Sequence, residues 1–351
     1  MENQIEHFKF IKRCFQIAEN AKWNTLSNPK VGSVLVYNNK IVSEGFHHKI
    51  GAPHAEVMCL NNPLLDPKII EKSTLYVSLE PCSIYGKTPP CANKIIESGV
   101  KKVVIGSLDP NPKVNGNGMN LLIKNGIEVL NLNLIELQNE INLPFIVNQI
   151  YGRPYFIGKC SISNNNKLGS ENEKIKITPI EIDAIFHDIR SGVDGVLIGK
   201  NTWRIDKPQL NNRFTFTENQ PDVIVLDSML QNSYENFDIQ LNRQIFILNN
   251  VKSETYKNIH YVKLDTQNIS EMIRFFNSKG MSKILIEGGS KILSFFSNHN
   301  YIDELYINKN LKLKIPNGIE APIMNFTFFN KLNSKVFNGI QIKHYQKLIN
   351  Y

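Results

Sequence analysis

The chain has 351 residues, 42% hydrophobic and 21% charged, with a formal net charge of +8, which is ordinary for a soluble globular protein and long enough for two domains. No apolar run approaches the roughly 18 residues of a membrane span, and no cluster of five or more Lys and Arg marks a nucleic-acid stripe. Five scattered cysteines exclude a disulfide framework and point to a reducing compartment.

In chain order, IEHFKFIKRCFQIAENAKW (5–23) spaces its apolar residues helically and predicts an amphipathic helix. The N-terminal stretch lacks an apolar signal core, so a cytoplasmic chain is expected. NPKVGSVLVYNNKIVSEGFHH (28–48) predicts a hairpin, because two apolar strands flank Asn38-Asn39, a pair that tolerates positive φ. HAEVMCLNN follows as a helix. STLYVSLEP (73–81) is a strand stopped by Pro81, and PPCANKIIESG (89–99) is a helix with proline at its start and Gly99 at its end. VKKVVIGSLDP (100–110) is another strand, followed by a Gly/Asn/Pro loop, a helix to Gly126 and the short strand IEVLNL. This order predicts a sheet covered by helices.

Residues 142–153, NLPFIVNQIYGR, read as a connector between a domain at 1–147 and a second at 153–351. After Pro154 the β/α alternation restarts. VDGVLIGKNTW (193–203), PDVIVLDSM (221–229), RQIFILNN (243–250), KILIEGGSKILSFF (283–296) and DELYINKN (303–310) are strands or strand–helix turns. Together with the helical TPIEIDAIFHDIRSG (178–192) they resemble a nucleotide-binding doubly wound domain.

The chemistry concentrates at His54, Glu56, Cys82 and Cys91. Zinc takes imidazole nitrogen and thiolate sulfur, and a catalytic site uses three protein ligands, leaving a fourth position for water. His54 at one helix start, with Cys82 and Cys91 around another, supplies one nitrogen and two sulfurs. A helix N-terminus also lowers a thiol pKa. Glu56 reaches the water position from the first helical turn and is the expected catalytic proton shuttle. Zinc nucleobase deaminases carry this signature, H-x-E followed by P-C-x-x-C, with the glutamate as acid–base rather than ligand. Here eight residues separate Cys82 from Cys91 instead of two, and the inserted SIYGKTPP is expected to bring Lys87 towards substrate. Cys14, Cys59 and Cys160 are expected to be core thiols.

NPKVG, GFHHKIGAPHAE, LEPCSIYGKTPPC and DPNPKVNGNG, in that order, closely resemble the deaminase half of the bifunctional riboflavin-biosynthesis deaminase–reductases, and the second half resembles their reductase domain. The resemblance implies an α/β fold class: an N-terminal cytidine-deaminase-like α/β/α domain, then a dihydrofolate-reductase-like α/β domain. It implies deamination of 2,5-diamino-6-(5-phosphoribosylamino)pyrimidin-4(3H)-one by zinc-activated hydroxide. Reduction of the product's ribosyl group to ribityl with NADPH would follow. Asn28, His47, Lys87, Asp109 and Asn111 match substrate positions of the deaminase. Arg190, Leu210, Arg213 and Glu287 match substrate positions of the reductase, and Ser161, Thr202, Asp206, Ser228, Gly288 and Gly289 its cofactor positions. Arg190 and Arg213 suit a phosphate, which a guanidinium grips bidentately. The Gly-Gly pair ends a strand where Ser290 begins a helix, so backbone N–H groups there can cradle an anionic cofactor group.

The second half departs from the family pattern in places. Ser163-Asn164-Asn165-Asn166 stand where S-L-D-G is usual after the first strand, Lys174-Ile175-Lys176-Ile177-Thr178 replace S-x-W-I-T, and INKNLKLKI replaces A-P-K-L-x-G. The alternative is therefore a deaminase joined to a degenerate reductase. The expected partner is a phosphorylated pyrimidine, with neither nucleic acid nor membrane, and a homo-oligomeric assembly is expected. Charge fits this: residues 1–147 carry 15 Lys and Arg against 13 Asp and Glu, the remainder 25 against 19.

Overall fold

The computed structural model describes residues 2–85, 89–214, 219–234 and 243–349. The chain divides into two compact units, Met1–Gly152 and Arg153–Tyr351. None of the described helices is long and apolar enough to cross a membrane.

The first unit runs α1 (Glu2–Ala18), β1 (Gly32–Tyr37), β2 (Lys40–Phe46), α2 (Ala55–Leu60), α3 (Pro67–Glu71), β3 (Thr74–Val77), α4 (Cys91–Glu97), β4 (Lys102–Ile105), α5 (Asn117–Lys124), β5 (Glu128–Asn131) and α6 (Ile135–Tyr151). Its sheet has the order β2-β1-β3-β4-β5. Strand alternation assigns the two faces. Val34, Val36, Tyr76 and Val104 pack with Phe10, Ile11 and Cys14 of α1 and with Leu137 and Ile141 of α6. Leu35, Leu75, Val77, Val103 and Ile105 pack with Cys59 of α2, Ile95 of α4 and Leu122 of α5. The result is three layers, α/β/α. Asn38 and Asn39 both have positive φ, so the hairpin turn forms where their tolerance of that conformation allows it.

The stretch 142–153 is not an open connector, because α6 continues to Tyr151. Asn142 breaks the helical geometry (φ −123°) while its amide clamps the backbone of Lys30, accepting from the Lys30 N–H at 2.7 Å and donating to its carbonyl at 2.8 Å. Pro144 is tolerated just beyond that kink, where the ladder is already interrupted.

The second unit runs β6 (Tyr155–Ile162), β7 (Lys167–Gly169), α7 (Ile180–Ser191), β8 (Gly195–Gly199), α8 (Lys200–Asp206), β9 (Asp222–Leu226), β10 (Ile245–Asn249), β11 (Glu254–Tyr256), β12 (Ile259–Lys263), α9 (Ile269–Ser278), β13 (Lys283–Glu287), α10 (Ser290–Asn298), β14 (Glu304–Asn310), β15 (Ile319–Glu320), β16 (Phe329–Phe337) and β17 (Ile340–Lys347). The main sheet is ordered β11-β12-β10-β9-β8-β13-β6-β14-β17-β16. The seven strands from β12 to β14 are parallel, and antiparallel strands close both edges. Phe156, Cys160, Leu197, Ile224 and Ile286 pack one face against Met272 and Phe276 of α9 and Leu293 and Phe296 of α10. On the other face Phe186 of α7 meets Tyr306 edge-on at 5.6 Å. The chain winds outward through β8, β9, β10 and β12, then returns to insert β13 beside β6. In open α/β sheets ligands bind in a crevice at the carboxyl ends of the strands beside such a reversal. Cys14, Cys59 and Cys160 are all buried core thiols, as expected.

Candidate active site

In the first unit two loops and two helix starts converge. His54 precedes α2 with extended backbone, and Cys91 opens α4 behind Pro90. Cys82 follows Pro81 in the loop beyond β3, which ends at Val77 rather than running on to Pro81. The His54 Nδ1 lies 3.1 Å from Cys91 Sγ and 3.7 Å from Cys82 Sγ. All three donor atoms fall within 4.8 Å of one another. A tetrahedral zinc with its usual bond lengths would separate nitrogen from sulfur by about 3.6 Å. One imidazole nitrogen and two sulfurs, with no carboxylate oxygen among them, form a zinc donor set rather than a magnesium or calcium one. The residues present therefore fit the metal.

The Cys91 thiol, hydrogen-bonded to Cys82, pulls the Cys82 pKa well down against the opposing effect of burial. The Cys91 backbone N–H donates to the same sulfur at 3.3 Å. Cys91 itself is pushed up by that bond and by burial. Glu56, only 3% exposed, lies beside them. Burial, then the Cys82 charge, pushes its carboxyl up to about 7. A bound dication acts in the opposite direction.

His47 flanks this centre, its ring edge-on to that of His54 at 5.2 Å between centroids. Its Nδ1–H donates to the Pro53 carbonyl, which leaves Nε2 to accept from the Asn28 amide, both at 3.3 Å. Burial, the largest influence, lowers its pKa, so His47 is neutral near pH 7. Asp109 is buried too. Its carboxyl accepts the Asn111 N–H at 2.8 Å, and burial pushes its pKa up to about 7. Four of the five expected substrate positions thus sit on the loops around the three donors. The fifth, Lys87, lies outside the described residues.

In the second unit the expected positions lie at the carboxyl ends of the parallel strands. Gly288 and Gly289, both at φ +77°, follow β13 and lead into α10. A Cβ on either would lie 3.7 Å from Thr202 Oγ1, so Thr202 lines the same turn. Ser228, after β9, shares a hydrogen bond with Thr266 at 2.7 Å. Ser161, near the end of β6, has its hydroxyl buried with no hydrogen-bond partner among the described residues. Asp206 ends α8, and its backbone carbonyl accepts from Lys174. Leu210 is 3% exposed, and its carbonyl accepts from Arg243.

Arg190 and Arg213 differ sharply. Arg213 is exposed, whereas the Arg190 guanidinium is already held by both oxygens of Glu287, one at 2.6 Å, and by the Asn211 carbonyl. Burial would raise the Glu287 pKa, but the Arg190 charge and hydrogen bonds outweigh it and hold it at about 2. The usual value is 4.5, so this pair contributes stability above about pH 4.5 that is lost as pH falls towards 2. Acid titration of the intact chain should show the reductase unit weakening over that interval, and Glu287→Gln should flatten the slope there.

Sequence reasoning missed His187. Burial, then the Arg190 and Arg213 charges, lower its pKa to about 4, so it stays neutral and its Nδ1 accepts the Arg213 backbone N–H at 3.3 Å. Its place one helical turn before Arg190 in HDIRSG was the available signal.

Two family models match the chain. The cytidine and deoxycytidylate deaminase zinc-binding region matches residues 4–107, and the RibD C-terminal domain matches residues 154–308. The riboflavin biosynthesis protein RibD of Aquifex aeolicus is 34% identical over 309 residues, covering 85% of each chain. That of Buchnera aphidicola is 31% identical over 324 residues, again covering 85% of each. Among solved structures, a Thermotoga maritima diaminohydroxyphosphoribosylaminopyrimidine deaminase/5-amino-6-(5-phosphoribosylamino)uracil reductase superposes with a TM-score of 0.86 at 28% identity, covering 99% of this chain and 100% of that one. Acinetobacter baumannii RibD gives 0.86 at 26%, covering 98% and 99%. The alternative of a degenerate second domain finds no support, since the match runs through both units. The chain belongs to the RibD family of riboflavin biosynthesis, bifunctional enzymes in which a deaminase domain is followed by a reductase domain.

Proposed function

We propose that His54, Cys82 and Cys91 hold a zinc ion and that Glu56 moves the protons of the deamination. The substrate would be 2,5-diamino-6-(5-phosphoribosylamino)pyrimidin-4(3H)-one. When bound, the metal supplies Lewis-acid activation of a water. Glu56 takes one proton from that water and passes it to the ring nitrogen, then takes the remaining hydroxyl proton and delivers it to the amino group, which leaves as ammonia as the ring carbon becomes a carbonyl. Neutral His47, Asn28, Asp109 and Asn111 orient the pyrimidine. The observation that carries this reading is the set of three donor atoms within 4.8 Å with a buried carboxyl beside it.

In the second unit NADPH would lie across the crevice, its anionic groups at the Gly288-Gly289 turn and its remaining contacts at Ser161, Thr202, Asp206 and Ser228. Arg213 supplies charge for the substrate phosphate, and the Arg190–Glu287 pair and Leu210 shape the pocket beside it. When bound, NADPH would supply hydride to the sugar carbon attached to nitrogen, after the ring C–O bond has opened to give the imine or aldose form. A reducing cytoplasm keeps Cys82 and Cys91 available as ligands.

Cys82→Ala tests the two-site reading. Zinc should fall from about one per chain to a trace by elemental analysis, and ammonia release should stop. NADPH oxidation with already deaminated substrate should continue. Full deamination by zinc-free Cys82→Ala chain would sink the assignment.

A further inference from the structure

LEPC, which ends at the proposed ligand Cys82, contains a buried carboxylate that the chemistry above leaves unused. Glu80 is 4% exposed and stands two residues before Cys82. Its Oε2 accepts the backbone N–H groups of Asp109 at 3.2 Å and Gly116 at 2.9 Å. Its Oε1 accepts that of Met119 at 3.0 Å. Its own backbone N–H donates to the Ser107 carbonyl at 2.9 Å.

These partners span the whole Gly/Asn/Pro loop. Asp109 begins it, and Gly116 and Met119 are the N-cap and third residue of α5. Helix starts leave N–H groups unpaired, and a side chain within the first turn usually satisfies them. Here Glu80, from a distant strand end, does so, and the same carboxylate holds the opposite end of the loop. The local sequence accommodates this. Gly116 takes φ +75°, and a Cβ on Gly118 would lie 1.9 Å from the Pro81 carbonyl oxygen, so α5 can start only hard against the Glu80-Pro81 backbone. Within the loop, Asn111 and Asn115 bond back to Asp109, so loop and latch move as one piece.

We propose that Glu80 is a positioning residue of the deaminase, fixing the Asp109 carboxyl and the Asn111 side chain relative to the Cys82 segment. Glu80 touches no substrate. It sets the distance between the loop that orients the pyrimidine and the centre that attacks it. This rests on the reading of Asp109 and Asn111 as substrate contacts.

Glu80→Gln keeps the shape but turns one acceptor into a donor facing backbone N–H groups. Deaminase KM for the pyrimidine is expected to rise about 10-fold while kcat changes by less than about threefold. Zinc per chain and NADPH oxidation should stay as in the wild type. Gly116→Ala strains the same latch without touching Glu80, and should raise KM in the same sense. It decides the matter alone should Glu80→Gln not yield folded protein. Asp109→Ala should raise KM by itself, and adding Glu80→Gln to it should raise KM little further. Wild-type KM in both Glu80→Gln and Gly116→Ala, even with a lowered Tm, overturns the proposal and leaves Glu80 purely structural. If Asp109→Ala leaves KM unchanged while Glu80→Gln raises it, the substrate role of Asp109 fails and the latch stands.

Discussion

Glu56→Gln should lower the deaminase kcat by roughly 10²- to 10⁴-fold, the usual contribution of a positioned acid–base group. Bound zinc and the rate of NADPH oxidation should be unchanged. Gln keeps the volume of the buried side chain, so the 3%-exposed pocket is not reopened, and it keeps one carbonyl oxygen as acceptor. What it loses is the capacity to take up a proton and give it back. Alanine would confound that loss with a cavity. Near-normal ammonia release by the zinc-replete variant would show that the proton path runs through another group, and buried Asp109 is the next carboxyl to test.

The two domains were not equally legible in the sequence. The three donor positions could be read because each sits at a local punctuation mark: His54 before α2, Cys82 after Pro81, Cys91 at the start of α4. The strands bearing Gly288 and Ser228 were legible as apolar runs. What spacing could not reveal were the long-range pairings. The Asn142 clamp on Lys30 joins residues 112 apart, so the helix that carries it read as a connector. Glu287 and Arg190, 97 apart, both read as substrate contacts, and the sequence held nothing to show that they are each other's partner.

The departures from the family pattern also changed meaning once paired in space. The Asn165 amide donates to the Ile315 carbonyl at 2.9 Å and accepts its N–H at 3.0 Å. The Asn164 N–H donates to the Leu313 carbonyl at 2.7 Å. The Asn-rich turn is therefore fastened to the backbone of the unusual INKNLKLKI segment. Of the two lysines in the other altered segment, Lys176 lies 3.8 Å from Asp183, an exposed pair of little energetic weight. One missed feature was readable. Asn338-Gly339 lies between β16 and β17, with Phe337 opposite Ile340 and both turn residues at positive φ. That pair is a strong hairpin signal, hidden here because the flanking strands are largely polar and exposed.

The Arg190–Glu287 pair yields the largest expected stability effect. Glu287 is only 8% exposed, and its carboxylate depends on one guanidinium. Arg190→Met leaves that charge buried and unpaired, which costs about 3–5 kcal/mol. In a domain of this size the reductase melting transition, identified as the one NADPH raises, should fall on the order of 10 °C. The deaminase transition should not move. Arg190→Met with Glu287→Leu removes both charges and should recover most of the loss, because the buried pair repays little beyond its own desolvation. The same double variant separates structure from chemistry. If the pair serves only the fold, the restored domain should reduce substrate with near-normal KM. If the pair also shapes the phosphate pocket beside Arg213, Tm should return while KM for the deaminated substrate stays raised. A single substitution that leaves the reductase transition where it was would mean that the carboxylate finds another cation, and Lys159, whose charge also lowers the Glu287 pKa, is the next residue to replace.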